Sequence, residues 1–329
     1  MATIIAALEE RGAIHRTSDP LDARRQLITL SPSIIKELEG SRQLRDRWLA
    51  DVLDEAYDDK ELEIIDRALL LLERIATAAM LKDLIRSPEI VVMPGVFDPF
   101  SARLTERAGF PALQCSGAAI SGVHFGRPDY SLISMEDMVA CTARIVRSVH
   151  VPVMADGDNG FGNAVNTHYA VRAFEEAGAA GATIKIRAAA EARTDPDFVI
   201  NARTDALAVE GIAGAIRRGN AYLAAGATMI FVEGVTSRDE IRAAVTGIDG
   251  PVAVNVIEGG KSPQHLTFRE LQDLGVARVS LPGALLMSAL GGMRNALERI
   301  QADGGTADLD DLFLPFREAH DLIGMREIE

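Results

Sequence analysis

The 329-residue chain predicts an α/β protein whose larger part is a (β/α)8 barrel of the TIM type, with an additional C-terminal helix and a small, mostly helical N-terminal appendage. Three observations predict the barrel. From about residue 81, eight apolar strand-like runs alternate with helical patterns inside one domain-sized span. Several of those helices stop at a glycine suited to a left-handed C-terminal position: Gly109, Gly178, Gly226 and Gly275. Polar residues gather at the strand ends that lead into helices, the end at which such barrels keep their chemistry.

The expected strands are Ile90–Pro94, Ala112–Ser116, Val151–Asp156, Gly181–Ile184, Phe198–Thr204, Met229–Glu233, Val252–Ile257 and Arg278–Leu281. The expected helices are Pro99–Ala108, Met135–Val149, Thr167–Ala177, Ile186–Arg193, Ile212–Ala225, Arg238–Thr246, Phe268–Leu274 and Ala284 to about Ile300, with an added helix at Leu309–Ile323. Residues 1–80 read differently and are expected to be a separate appendage, with 81–329 the catalytic domain. Ala13–Arg16 and the alternating Gln26–Leu30 form a strand pair around the turn at Asp19-Pro20. Ser31-Pro32-Ser33 opens a helix from Ile34 to about Ala56, and a second runs from Lys60 to Ala79 with Leu62, Ile65, Leu69, Leu72 and Ile75 on one face.

Composition narrows the function. No apolar run reaches the ~20 residues that span a bilayer, and the N-terminus turns charged too soon for a secretory signal. Two cysteines, Cys115 and Cys141, do not make a disulfide framework, so a cytoplasmic location is expected. A net charge of −14 disfavours nucleic acid. The six histidines show no zinc-ligand spacing, and no phosphate-cradling loop or dinucleotide fingerprint is present.

The strand ends carry the chemistry. Strand two ends at Ser116-Gly117, strand three at Asp156-Gly-Asp158, strand five at Arg203-Thr-Asp205, strand six at Glu233 and strand seven at Asn255. Asp156 and Asp158 alternate on a strand and share a face; two hard oxygen ligands side by side suit Mg²⁺, which keeps several waters. The alternative is a turn in which Asp156 merely caps Asp158-Asn159-Gly160. Ser116 and Gly117 offer a hydroxyl and close backbone N–H groups to a carboxylate or developing oxyanion. Arg203 offers a planar fork to a substrate carboxylate, or else a structural ion pair with Glu233 or Asp205.

These residues, taken together, resemble the isocitrate lyase/phosphoenolpyruvate mutase superfamily over about residues 81–305. The matching stretches are Met93-Pro-Gly-Val-Phe-Asp98 with Ser101-Ala-Arg103-Leu, Ser116-Gly117, Arg127-Pro-Asp129, Asp156-Gly-Asp-Asn-Gly-Phe-Gly-Asn163, Ile200-Asn-Ala-Arg203-Thr-Asp205-Ala, Phe231-Val-Glu233, and Asn255 with Glu258-Gly-Gly. The resemblance implies Asp158 as the most direct Mg²⁺ ligand (Mn²⁺ could replace the ion), with Asp156 and Asp129 orienting metal-bound waters and Glu233 completing the outer shell. It implies that Ser116 and Gly117 hold a substrate carboxylate or enolate oxygen, and that Arg203 and Asn255 fix another carboxylate. The implied activity is cleavage of a C–C bond in a small 2-hydroxy or 2-oxo di- or tricarboxylate, of methylisocitrate or dimethylmalate type, through an enolate. Oxaloacetate decarboxylation or hydrolysis and C–P bond rearrangement are the alternatives on the same scaffold. The resemblance also implies a homotetramer or dimer of dimers, for which Leu312, Phe313, Leu314 and Phe316 supply an apolar face.

One departure matters. Members follow strand four with a Glu-Asp pair and a long mobile loop, which in the lyases carries a Cys that acts as acid/base. Here Gly181–Ile184 runs almost directly into Lys185-Ile-Arg-Ala, less than the ~2–6 residues such a junction uses. Either a mobile lid belongs between Ile184 and Lys185, the favoured expectation, or the chain is truly shortened.

The N-terminal part resembles the C-terminal portion of MarR-type winged-helix regulators, through Leu8-Glu-Glu-Arg-Gly12 and Asp22-Ala-Arg24-Arg25-Gln-Leu-Ile-Thr29-Leu30. Only the tail of a recognition helix, Thr3–Glu9, would remain, so direct base readout and DNA binding are not expected. A packing or dimerisation role is expected instead. A metabolite-sensing regulator with an impaired barrel is the functional reading of a different class.

Overall fold

The computed structural model describes residues 9, 11–18, 26–31, 33–34, 56–184, 187–257, 260, 262–263 and 265–325. The chain divides into two compact units, Met1–Leu69 and Leu70–Glu329. In the first, β1 (Ile14–Ser18) pairs antiparallel with β2 (Gln26–Leu30), with Ile14 opposite Leu30 and Ser18 opposite Gln26. Arg16 pairs with Glu9 across its base. Arg24, most of Thr3–Glu9 and nearly all of the expected Ile34–Ala56 helix lie outside the described residues. Helix α1 (Asp59–Arg86) runs across the boundary between the units and replaces the expected Lys60–Ala79, continuing for seven residues more.

The second unit closes eight parallel strands into a barrel: β3 (Val91–Val96), β4 (Leu113–Cys115), β5 (Val153–Asp156), β6 (Gly181–Ile184), β7 (Val199–Thr204), β8 (Met229–Val232), β9 (Val252–Asn255) and β10 (Arg278–Leu281), with β10 paired back to β3. The expected (β/α)8 architecture is therefore present. Strand alternation divides the side chains into two sets. Val91, Met93, Met154, Val199, Met229, Phe231 and Ala253 fill the lumen, where Leu81 and Ile85 of α1 pack against them. The residues between them, such as Ile200, Ala202, Ile230 and Val279, face the surrounding helices. Lys82 holds α1 to this end of the barrel through Asp197 at 2.7 Å and the Pro196 carbonyl at 2.9 Å.

The connecting helices are α2 (Pro99–Arg107), α3 (Gly117–Phe125), α4 (Met135–Val146), α5 (Ala164–Glu176), α6 (Arg187–Ala192), α7 (Leu207–Ala224), α8 (Arg238–Gly247), α9 (Phe268–Asp273) and α10 (Ala284–Asp303), followed by α11 (Phe316–Leu322). Side-chain caps explain several starts: Asp98 with Ser101, Asn163 with Asn166, Ser237 with Glu240 and Thr267 with Glu270 form reciprocal boxes. Helix α7 starts five residues earlier than expected because a kink at Gly211 (φ 68°), a left-handed conformation glycine tolerates, joins Leu207–Glu210 to the rest.

Two expectations need correction. The sequence predicted no helix directly after strand two, but helix α3 follows Ser116 at once; Ser116 caps it by accepting the Ala119 N–H. The C-terminal helix is not Leu309–Ile323 but the shorter α11, because Pro315 disfavours helical backbone at Leu314 and cannot donate an N–H. That helix lies on its own barrel: Arg103 and Arg107 of α2 donate to the Leu322 and Asp321 carbonyls. The sequence is continuous from Ile184 to Lys185, and only Lys185 and Ile186 separate β6 from α6. Lys185 and Ile186, and with them the expected lid, lie outside the described residues.

Candidate active site at the strand ends

Asp156 ends β5 with its carboxylate between two backbone donors. Its Oδ2 accepts the N–H of Gly117, the first residue of α3, and its Oδ1 accepts the N–H of Asp158, both at 3.0 Å. The approach to Gly117 leaves no room for a side chain: a Cβ there would lie 2.5 Å from Asp156 Oδ2. Burial pushes the Asp156 carboxyl up to about 6; the two N–H groups hold it down, while the charges of Asp129 and Asp158 push it further up. Desolvation, then the charge of Asp158, also raises Asp129, and Arg203 opposes the rise.

Asp158 is exposed and left-handed at φ 47°. Its Oδ1 accepts the Ser131 hydroxyl at 2.9 Å, and the Asn159 amide donates to the same Ser131 oxygen at 3.3 Å. Ser131 (φ 54°) and Phe161 (φ 56°) share the left-handed conformation, so the non-glycine residues with positive φ among the described ones all belong to this mouth. Backbone held in such sparsely populated regions costs roughly 1–3 kcal/mol each and collects at functional sites. Ser131 was not singled out from the sequence; the signal available was a hydroxyl two residues after Asp129 in the Pro128-Asp-Tyr-Ser stretch.

Across the mouth, Arg203 places Nε and Nη2 on Asp205 Oδ1 at 3.0 and 2.8 Å, and Nη2 lies 3.6 Å from Glu233 Oε2. Its guanidinium also stands over the Phe231 ring at 5.7 Å. The ion-pair alternative is thus the arrangement seen, with Arg203 still half exposed and open to a carboxylate. Burial raises the Glu233 carboxyl and Arg203 counters it. Asn255 donates to Glu233 Oε2 at 3.4 Å and accepts from Ser280. A cavity of about 640 Å³ opens beside Arg203 and Asp205 toward α7.

The predicted residues therefore form two linked groups: Ser116, Gly117, Asp129, Asp156 and Asp158 on one side, and Arg203, Glu233 and Asn255 on the other. The Gly117 N–H, expected to face substrate, is taken by Asp156. Among the described residues no three His, Cys, Asp or Glu side chains close on one point as a finished cage. The donor set still fits Mg²⁺, which needs only one or two carboxylates and keeps its waters, since a desolvated carboxylate crowded by two further acids favours a cation. Glu258, Gly259, Lys185 and Ile186 lie outside the described residues. Both cysteines are buried and free, and burial pushes the Cys115 thiol up to about 12, which agrees with a core role.

A family model described as phosphoenolpyruvate phosphomutase matches residues 81–301, more than half of the chain. The chain belongs to this family. Within the phosphoenolpyruvate mutase/isocitrate lyase superfamily so identified, it is 37% identical over 277 residues to 2,3-dimethylmalate lyase of Eubacterium barkeri, covering 77% of this chain and 96% of the relative. Its fold superposes on oxaloacetate acetylhydrolase in complex with the product oxalate (TM-score 0.72, 28% identity, 77% of this chain and 96% of that one). It also superposes on phosphonopyruvate hydrolase in complex with oxalate and Mg²⁺ (TM-score 0.70, 31% identity, 77% of this chain and 96% of that one). The family member described here is an enzyme of the lyase and mutase class, and no helix among its described residues is long and apolar enough to cross a membrane.

Proposed function

We propose that this phosphoenolpyruvate phosphomutase family member is a Mg²⁺-dependent lyase that cleaves a C–C bond in a small 2-hydroxy or 2-oxo di- or tricarboxylate of dimethylmalate or methylisocitrate type. The observation that carries the reading is the Asp156 carboxylate, clamped by Gly117 and Asp158 and crowded by Asp129, opposite the half-exposed Arg203. Asp158 would hold Mg²⁺ (or Mn²⁺) directly, with Asp156 and Asp129 beside it and Glu233 farther out. When bound, the ion supplies positive charge where an enolate develops.

The chain's own residues do the rest. Arg203 exchanges Asp205 for a substrate carboxylate, and its fork fixes that group's plane. Asn255, tied to Glu233 and Ser280, holds the far side of the same carboxylate. The Ser116 hydroxyl accepts from Ala119, which leaves its own hydrogen for a substrate oxygen. Gly117 acts through Asp156.

A second reading, oxaloacetate decarboxylation or hydrolysis, is favoured by one observation. Both cysteines are buried in the fold, so neither offers a thiol at the mouth to protonate a leaving carbanion, and the enolate left by decarboxylation can take its proton from water. C–P rearrangement and metabolite sensing have no such observation behind them. For residues 1–80 we infer an appendage with a packing or dimerisation role, supported by the start of the family match at residue 81 and, for its wing-like character, by the β1–β2 hairpin. A homo-oligomer is supported by the exposed Phe313, Leu314 and Phe316, and a reducing cytoplasm by the unpaired cysteines. The test is release of pyruvate, glyoxylate, oxalate or acetate from a panel of 2-hydroxy and 2-oxo di- and tricarboxylates, with and without EDTA. Metal-dependent turnover of at least one acid is expected; no turnover, together with no Mg²⁺ effect on melting temperature, overturns the reading.

A further inference from the structure

Barrel interiors are usually packed with branched apolar side chains, but this one encloses an arginine. Arg278, on β10, has no exposed surface. It pairs with Val91 and Ala253 near the strand starts, whereas Asp156 and Glu233 stand at strand ends. Val279, the next residue, faces the surrounding helices, so Arg278 points into the lumen. There its Nε donates to the Met93 sulfur at 3.0 Å, a weak acceptor, while Nη1 and Nη2 find no acceptor among the described residues.

Among the described residues no carboxylate touches this guanidinium. Burial pushes it down to about 9, which still leaves it charged at neutral pH, and the charge that acts back on it is that of Asp156. The lumen carries other polar groups as well. Asn201 donates to Thr183 at 2.9 Å, and the oxygens of Asn201 and Gln114 are buried without a donor. A buried cation without a carboxylate partner among the described residues costs stability, and strongly perturbed ionisable groups collect at functional sites.

We propose that Arg278 is a positioning residue for the anionic ligand: a cation sealed inside the barrel, behind the Asp156 carboxylate, whose field favours substrate carboxylates at the mouth and opposes the metal ion. The inference rests on the reading of the mouth as a Mg²⁺ and carboxylate site. A structural role and a field effect differ in sign. Loss of a structural residue weakens every ligand together, whereas loss of a positive charge weakens an anion and tightens a cation. A unit charge about 10 Å from a divalent ion, at an effective dielectric of about 40, changes its binding constant roughly tenfold.

The experiment is calorimetric titration of the full chain with Mg²⁺ alone and with oxalate at saturating Mg²⁺, for wild type, Arg278→Met and Arg278→Lys, with melting temperatures recorded. Arg278→Met is expected to bind oxalate roughly tenfold more weakly and Mg²⁺ roughly tenfold more tightly, with a melting temperature equal to or above that of wild type. Arg278→Lys is expected to lie between wild type and Arg278→Met for both ligands, since a buried ammonium loses its proton more readily than a guanidinium. Parallel weakening of both ligands in Arg278→Met, or unchanged constants, overturns the proposal. So does a Met variant that does not fold, or a Lys variant that binds oxalate more weakly than the Met variant does. A wild type that binds neither ligand overturns the reading of the mouth instead, so the two failures are distinguishable.

Discussion

Asp156 Oδ2 accepts the backbone N–H of Gly117 at 3.0 Å, across the gap between β5 and the start of α3. The first N–H of a nine-residue helix thus points at a carboxylate, where helix and side chain stabilise each other. Gly117 is needed for this approach because a Cβ would overlap the carboxylate, not because its backbone requires glycine.

Gly117→Ala is therefore expected to act on the site more than on the fold. Displacing Asp156 by the 2.5 Å contact should lower kcat/KM by roughly 10²-fold, while stability falls by only about 1–2 kcal/mol. Steady-state kinetics beside a urea denaturation curve checks this. Unaltered kinetics would show that the Asp156 position is unimportant.

Asp156 also makes the metal-free protein weaker than it need be. Its carboxyl is raised in the folded state, so its stability contribution is fully present below about pH 4 and is lost as pH rises through about 6. Asp156→Asn should remove this loss. At pH 7.5 in EDTA the variant is expected to be more stable by on the order of 1–2 kcal/mol, net of one misplaced hydrogen bond, and its melting temperature should no longer respond to Mg²⁺. A destabilised variant that keeps its Mg²⁺ response contradicts the assignment.

The same group sets an acid limb. Only the carboxylate form of Asp156 serves a cation, so at subsaturating Mg²⁺ kcat/KM should fall about tenfold per pH unit below about 6. Saturating Mg²⁺ favours the anion and should move the limb to lower pH. Profiles at two Mg²⁺ concentrations test it, and a limb that does not move would count against metal binding here.

Arg203 spans Asp205 with two nitrogens while approaching Glu233. A lysine has one point charge and cannot make that span. Arg203→Lys is expected to raise KM for a dicarboxylate by roughly 10–10²-fold with a smaller effect on kcat. Equal loss in both would place Arg203 in the chemical step.

Apolar runs alternating with glycine-stopped helical patterns made the eight strands legible in the sequence; Gly181–Ile184 and Arg278–Leu281 agree residue for residue with the structure. Ser116, Asp156, Arg203, Glu233 and Asn255 were legible as candidates because they stand at strand ends, whereas Asp129, in the loop after α3, came only from the family resemblance. Helix α3 was not, because Gly117 and Gly122 lower helix propensity and burial of Ala119 and Ile120 overrides it. Likewise Arg278 reads as an ordinary charge before a β-branched residue; only closure of the barrel puts it in the lumen. The Arg203–Asp205 pairing required coordinates, because three carboxylates compete for the same guanidinium.

The most direct measurement of the central claim follows a ¹³C-labelled acid, 2,3-dimethylmalate or 2-methylisocitrate, by NMR with wild type and Asp158→Asn side by side. Mg²⁺ is added first and excess EDTA later. New product resonances are expected with wild type after Mg²⁺, with their arrest on EDTA and at least a roughly 10²-fold slower rate with Asp158→Asn. Product formation that ignores EDTA, or equal rates in the two proteins, would contradict the claim.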